Sequence, residues 1–580
     1  MRKIISMLLV AAMLATMLVG CGSNDSANTG ANADASTSTG TTDTSADKGS
    51  EAVPQELTFS NTTDATTMDT IQTSNLNDQR AAALVYEGLL RRELDDNGDL
   101  ILVEGVAETY DVDATETVYT FHLRKDAKFS DGTAVTAADV VYTFQRLFDP
   151  KLASPQSWQL EDMIVNAKAA FNGEVGIEEV GAKAIDDYTV EITINSPNPN
   201  FTTVITFPFA RIISKDFVEN CPGTFGSSVE TTMGSGPYKL TSWEPGSSMT
   251  YEPNEHYWNK ENVHLTKVTR QVIAEASTLA QTLMSDEVDI AELNDADWNG
   301  VVDATGLYNV EEKAQMTTYF FLFNCESKNL SNEKIRLALA LGFDRERYNN
   351  EVYLGKYTPA YSFEPEVATV GDASYASVAG DSAEYLKKLA EKYPDPKALL
   401  IEGMEEAGLG SDPSTLTIKY TTLGTTEIAK KAAEWLKQEY ATNLGINLEI
   451  ILTESNIAYD LIDAGDYEMA FGGWGIDSGT EPWRFFRIFE PTAGYYGESK
   501  LHWTGAGADE YSAYALEMQQ IFDNDRLLEL YKLAEPILLE EAAVSPVYFS
   551  KLRMCVAKNV EGYDVHPFLL PDFIGVTVTE

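Results

Sequence analysis

From Leu57 onward the apolar positions of the chain switch between a period of two and a period near 3.6. In TETVYTFHL, at 115–123, apolar or aromatic residues recur at every second place, the pattern of a strand with one buried face. FSDGT follows at 129–133, and its Asp-Gly pair predicts a tight turn. Thr136-Ala-Ala-Asp139 then reads as a capping box, in which a hydroxyl and an acid three residues on satisfy N–H groups left free at a helix start. Val140, Val141, Phe144, Leu147 and Phe148 behind it fall on one helical face. Further along, Leu416, Ile418 and Tyr420 alternate as a strand. A helix is expected from about Thr425, with Ile428, Ala432, Trp435, Leu436 and Tyr440 on its buried side; Gly445 ends it and 446–452 resumes as strand. Strand, helix, strand in that order predicts an α/β fold with a parallel sheet under covering helices. No internal repeat interrupts this.

The first 53 residues follow neither period. Arg2 and Lys3 precede an apolar run, Ile4 to Val19, that is short for a membrane span, the pattern of an export signal. The run closes on Leu18-Val19-Gly20-Cys21, which resembles the lipobox of bacterial lipoproteins. That resemblance implies a signal peptide at 1–20 and an acylated Cys21 as the mature N-terminus. A diacylglycerol thioether brings two acyl chains, enough for stable anchoring at about 0.8 kcal/mol per buried CH₂. Residues 22–53 are small and polar with Val53 the only large apolar side chain, so they cannot bury enough surface to offset their ordering entropy. They are expected to form a flexible tether, 21–53 counting the lipidated Cys.

Composition changes the picture in one respect. With 44% hydrophobic residues the 580-residue chain can build sizeable cores, but 90 Asp plus Glu stand against 42 Lys plus Arg, a formal net charge of -48. Such a surface repels nucleic acid and anionic headgroups, so neither is expected as a partner. An acidic, solvated shell explains the same charge with no ligand at all. Beyond Cys21 the chain has Cys221, Cys325 and Cys555, odd in number and widely spaced, and no disulfide framework is expected.

Catalytic signatures are weak. Ser331-Asn-Glu-Lys334 fits S-x-x-K, yet no S-D-N or K-T-G accompanies it, and a helix start is the better reading. G-x-S-x-G, H-E-x-x-H and C-x-x-C do not occur, and His122, His256, His264, His502 and His566 have no ligand spacing. Asp95-Asp-Asn-Gly-Asp99 lacks the sixth-position Gly and twelfth-position Glu of a calcium loop and reads as a hairpin turn. No enzyme, cofactor or metal is expected.

Five blocks in order carry a family resemblance: VYEGLL at 85–90; YTFHLRKDAKFSDGTAVTAADVVYTFQRLFDP at 119–150; GSGPYKLTSWEPG at 234–246 with PNEHYW at 253–258; NEKIRLALALGFDRERY at 332–348; and YKLAEPILLEEAAVSPVYF at 531–549. Together they resemble the bacterial extracellular solute-binding proteins of family 5, the oligopeptide-, dipeptide- and nickel-binding components of ABC importers. The resemblance implies a periplasmic-binding-protein-like fold of two hinged lobes with an additional domain inserted in the first. Lobe one would comprise 54–100, 210–322 and 550–580, the inserted domain 101–209 and lobe two 323–549. It further implies a monomer that engulfs a peptide on closure and presents it to the importer's permease subunits. A nickel complex, haem or an oligosaccharide is the alternative ligand, and a surface chaperone or sensor without a transporter the alternative role.

Within this frame the stretch FGGWGIDSGTEPW, 471–483, is the candidate site. Asp466 to Phe471 reads as a strand whose end is stripped of side chains by Gly472, Gly473 and Gly475 around Trp474, a place where another backbone can approach. A peptide ligand could pair there as an added strand, and Trp474 could stack on it. In oligopeptide-binding members a Gly-Trp-x-x-Asp motif holds the ligand amine, and Gly473-Trp474-Gly475-Ile476-Asp477 matches it, so Asp477 is the expected partner of the α-ammonium. Members usually continue Asp-Tyr-x-Asp/Glu-Pro, whereas here Ser478-Gly479-Thr480-Glu481-Pro482 follows, which leaves the first side-chain pocket undefined. Asp477 could instead order the turn before a helix at 482–489. Trp158 of the inserted domain and Ser74, Asn75 and Leu76 of the first lobe lie near cleft-lining positions of relatives.

Overall fold

Two long antiparallel strands, β6 (Tyr308–Phe323) and β11 (Val544–Ala557), run through the middle of the main sheet. The computed structural model describes residues 53–580 apart from Ser74, Asp96, Asn97, Asp99, Ala296, Glu366, Asp372, 477–482, Ala493 and Phe522, with the backbone alone of Glu498 and Ser499. The signal segment, Cys21, the tether to residue 52 and Asp477 with the Glu-Pro after it therefore lie outside the described residues.

The remaining strands of this sheet are β1 (Glu56–Asn61), β2 (Tyr238–Glu244), β3 (Ser248–Pro253), β4 (Lys267–Val272), β5 (Ile290–Glu292), β7 (Thr358–Pro359), β8 (Thr417–Thr421), β9 (Asn447–Ile451) and β10 (Met469–Gly475). Their order is β9-β8-β10-β6-β11-β5-β1-β4-β3-β2, with β7 on β11. The first part of β6 pairs with the far end of β11, which also pairs with β5; the last part of β6 pairs with β10. Between these parts the β6/β11 register slips, at Ala314/Thr318 and again at Tyr319/Phe320. A slip leaves residues unpaired and bends the strand that carries them. Gln315 lies in the slipped stretch and accepts a hydrogen bond from the Ser550 hydroxyl at 2.8 Å.

The apolar interior falls into four clusters. One gathers Leu57, Tyr238, Tyr251, Val268, Leu279 and Cys555 around the β1–β5 end of the sheet. A second lies between helix α2 (Ala137–Leu147) and a separate four-stranded sheet, Ala107–Val112, Val118–Leu123, Thr189–Thr193 and Ala182–Asp186 in spatial order. The other two sit on opposite faces of β6 and β10: Phe321 and Phe323 point into one, Phe320 and Leu322 into the other. Burial on both faces explains why YFFLF is continuously apolar rather than alternating.

Local expectations are met where short-range chemistry decides. Asp139 reaches back to the Thr136 N–H and hydroxyl, both at 2.9 Å, and Val140, Phe144, Leu147 and Phe148 behind it are buried. Each such side chain stabilises by roughly 1.5–3 kcal/mol. Gly132, at φ +88°, donates to the Phe129 carbonyl and closes the expected turn. Asp95 to Gly98 closes a hairpin between Leu90–Leu94 and Leu100–Glu104. Asn332 caps the helix Glu333–Leu341, and Lys334 of the S-x-x-K match is bound by Glu402 and Glu406, each at 2.5 Å. β8 and β9 are parallel and joined by helix α3 (Glu427–Asn443).

Three expectations need correction. The strand drawn from Thr115 begins at Val118, because Asp113 accepts from the N–H groups of Thr117 and Val118 and folds the preceding residues into a turn. Ile428 is 43% exposed; the buried stripe of α3 begins at Ala432. The strand expected at 466–471 is β10, Met469–Gly475, so the glycines lie inside it rather than beyond its end.

Candidate ligand-binding site

β10 has unequal edges. Along one, every residue from Met469 to Gly475 pairs with β6, from Phe323 back to Thr317. Along the other, β8 pairs only with Met469 and Ala470, and no other strand among the described residues takes its place. From Phe471 to Gly475 that edge presents a row of backbone donors and acceptors, a ready template for an extended chain.

The glycines have a packing reason as well. A Cβ on Gly473 would come within 2.8 Å of the Tyr319 ring, and one on Gly475 within 2.6 Å of Thr317 Oγ1. Both neighbours are the residues paired with these glycines on β6. The bare appearance of this strand in sequence thus reflects rings and hydroxyls that fill the space over it. Gly473→Val is expected to lower stability by about 1–3 kcal/mol through overpacking; an unchanged melting temperature would contradict this packing.

Trp474, on the opposite face of β10, brings a second predicted residue close. Its ring centroid lies 6.4 Å from that of Trp158, which is 45% exposed, and 5.2 Å from that of Tyr495. The Trp474 indole N–H is buried and meets no acceptor among the described residues. Helix α4 (Trp483–Arg487) starts a few residues on. Its buried Arg484 donates to Gln159 Oε1 at 2.6 Å and lies 5.9 Å from the Trp158 ring, tying 483–487 to the Trp158 segment. Lys500 sits 3.4 Å from the Tyr495 ring centre and pairs with Asp463 at 2.7 Å.

Asn75 and Leu76 follow a stretch tied to the Trp158 segment, since Gln156 donates to the Thr73 carbonyl at 2.6 Å. Asn75 caps helix α1 (Leu76–Ala83), accepting from the Asp78 N–H at 2.9 Å and donating to the Asp78 carboxylate at 2.8 Å, so its side chain is committed to the helix start. Leu76 is exposed and helps line a cavity of about 440 Å³ with Arg80, Glu292, Gln315, Leu552 and Tyr563. Arg80 pairs with Glu292 at 3.3 Å across it. His566, in the same wall, is pushed down to about 4 by burial, with Arg92 and Lys313 adding to the shift, and is neutral at neutral pH. Lys356, at the start of the β7 segment, has its ammonium held below the usual lysine range by desolvation, partly offset by Glu292 and Asp295. Neither Trp158 nor Trp474 lines this cavity.

Sequence reasoning missed Arg484 and Tyr495. Arg484 carried a usable signal, a charge inside the apolar run Trp483-Arg-Phe-Phe486; Tyr495 stands in no periodic pattern.

Known proteins agree with this architecture. The model of the bacterial extracellular solute-binding proteins, family 5 (middle), matches residues 102–496. The oligopeptide-binding protein OppA of Bacillus subtilis (strain 168) is 28% identical over 483 residues, covering 82% of this chain and 84% of that one. The dipeptide-binding protein DppE of the same organism is 27% identical over 562 residues, covering 96% and 95%. Among solved structures, the substrate-binding domain of an oligopeptide ABC transporter from Bacillus anthracis str. Ames superposes with a TM-score of 0.75 at 26% identity, over 91% of this chain and 99% of that one. Haemophilus influenzae OppA in complex with RPPGFSPFR has the same fold, with a TM-score of 0.76 at 24% identity over 91% and 99%. The chain belongs to the bacterial extracellular solute-binding proteins of family 5, with the two-lobed fold of OppA-type periplasmic binding proteins, and is a binding protein rather than an enzyme.

Proposed function

We propose that this chain is the lipid-anchored receptor of an ABC importer, taking peptides into a cleft between its lobes and delivering them to the permease. The observation that carries the peptide reading is the β10 edge left unpaired beyond Ala470, beside the Trp158 and Trp474 rings. An extended peptide docked there gains main-chain hydrogen bonds whatever its side chains are. Asp477, directly after this edge in sequence, supplies the carboxylate for its α-ammonium. The relatives named as oligopeptide- and dipeptide-binding proteins support the same ligand class.

The lobes are assigned as 54–100, 210–322 and 550–580 for the first, 101–209 for the inserted domain and 323–549 for the second. The slipped stretch of β6 and β11 around Gln315 is the natural hinge, since it already departs from ladder geometry. Mass spectrometry of small molecules released on denaturing the purified protein tests the ligand: peptides are expected, and a nickel complex, haem or an oligosaccharide in their place overturns the reading. Cys21 is the anchor. Cys21→Ala is expected to move the protein from washed membranes to the soluble fraction, because two acyl chains are lost together. Retention in the membranes would sink the lipid assignment.

A further inference from the structure

Behind the candidate site lies an acidic pair that ligand binding as described does not use. Glu364, 2% exposed, has both carboxyl oxygens buried without a hydrogen-bond partner among the described residues. Glu535, on helix α6 (Asn524–Glu540), is fully buried. It accepts from the Phe363 N–H at 2.5 Å and from the Tyr375 hydroxyl at 2.6 Å. Two carboxyls enclosed this way in one apolar cluster cannot both ionise without a large desolvation and repulsion cost.

Among the described residues, the groups acting on them include no compensating cation. Helix α6 adds Tyr531, the short helix Tyr375–Val378 adds Tyr375, and helix α5 (Ala506–Met518) adds Tyr511. Beyond these stand Arg487 and Glu490, which pair with each other at 3.3 Å, and Glu490 also accepts from Thr492 and Ser512. Burial raises both carboxyls, Glu364 well above the usual range with Glu535 adding to the shift, and Glu535 up to about 7.

Two connections lead from this pair to the site. Phe363, whose N–H is held by Glu535, accepts at its carbonyl from the Thr318 hydroxyl at 2.8 Å, and Thr318 is the residue paired with Trp474 across β6 and β10. One helical turn before Glu535, the Tyr531 hydroxyl accepts from the Trp483 N–H at 3.1 Å, at the first residue of α4, and its ring stacks on Phe486 at 5.2 Å.

We propose that Glu364 and Glu535 are positioning residues whose shared protonation seats α4 and the Trp474 strand, so that ligand binding is coupled to proton uptake and weakens as the pair ionises. For stability the sign follows from the direction of the shifts. The folded state keeps protons that the unfolded chain releases near pH 4.5, so this contribution to stability is full below that pH and is lost as pH rises towards about 7.

The test compares wild type with Glu364→Gln and Glu535→Gln, which keep shape and remove the titration. Without ligand, an infrared carboxylic-acid stretch is expected in the wild type near pH 6.5 and should weaken in each variant. Corrected for intrinsic exchange, protection of the Trp483 amide is expected to fall about tenfold in the wild type from pH 5.5 to 7.5, the effect of roughly one pKa unit of coupling, and to stay flat in both variants. Affinity for tetra-alanine should follow the same profile. Equal pH profiles of exchange in the three proteins, or no protonated carboxyl in the wild type, would overturn the proposal. Only the tetra-alanine arm rests on the peptide reading: if that probe binds at no pH, the peptide reading loses support while the exchange profiles still decide the proton pair.

Discussion

Asp477→Ala is expected to weaken peptide binding by about 2–5 kcal/mol, because it leaves a desolvated ligand ammonium without its counter-charge. Stability without ligand should hardly change. If Asp477 only ordered the turn before α4, the balance would reverse: about 1 kcal/mol of stability lost, typical of a missing cap, and affinity intact. Acetylating the peptide's amino terminus removes the same charge from the other side. Under the ammonium-binding reading, acetylation weakens binding to the wild type strongly and to Asp477→Ala much less, a non-additivity that marks direct contact. Isothermal titration of one peptide and its acetylated form against both proteins measures it, and equal affinities of the two forms for the wild type would remove Asp477 from the site.

The second large effect is on stability. Arg146, on α2, makes two parallel bonds to Asp69, at 2.8 and 2.6 Å, and both side chains are buried. The pair joins the α2 cluster to the 62–73 segment packed beside β1, and Arg146 also lies 5.4 Å from the Phe225 ring. Removing one partner strands the other charge in the interior, so Arg146→Ala is expected to cost about 3–5 kcal/mol. Replacing both residues by apolar side chains of similar volume should recover most of that loss, since the desolvation cost disappears with the charges. Chemical denaturation of the two single variants and the double variant decides it; a single-variant loss below 1 kcal/mol would show that water reaches the pair.

How much could be read in advance depended on the range of the interaction. The Thr136–Asp139 box, the Phe129–Thr133 turn, the Asp95–Gly98 hairpin and the β8-α3-β9 unit were legible because each is decided by residues a few places apart or by the period of one segment. Family membership was legible because five blocks occur in order. The blocks say nothing about which edge of a strand stays open. That β10 pairs fully with β6 and only at two residues with β8 is settled by where β8 ends, some fifty residues earlier in the chain. Gly473 looked vacant in sequence because the Tyr319 ring that fills its place comes from a strand about 150 residues away.

The same division holds for the site and the interior. The amino-acid sequence by itself determined the candidate motif, the α/β class and the acidic surface, all of which rest on local patterning and composition. Only the tertiary structure decided that Trp158 meets Trp474, that Asn75 caps α1, and that Glu364 and Glu535 are both buried in the interior. Such pairings join residues up to several hundred positions apart. Each is selected by shape and desolvation when the elements pack, and neither quantity exists before the chain has folded.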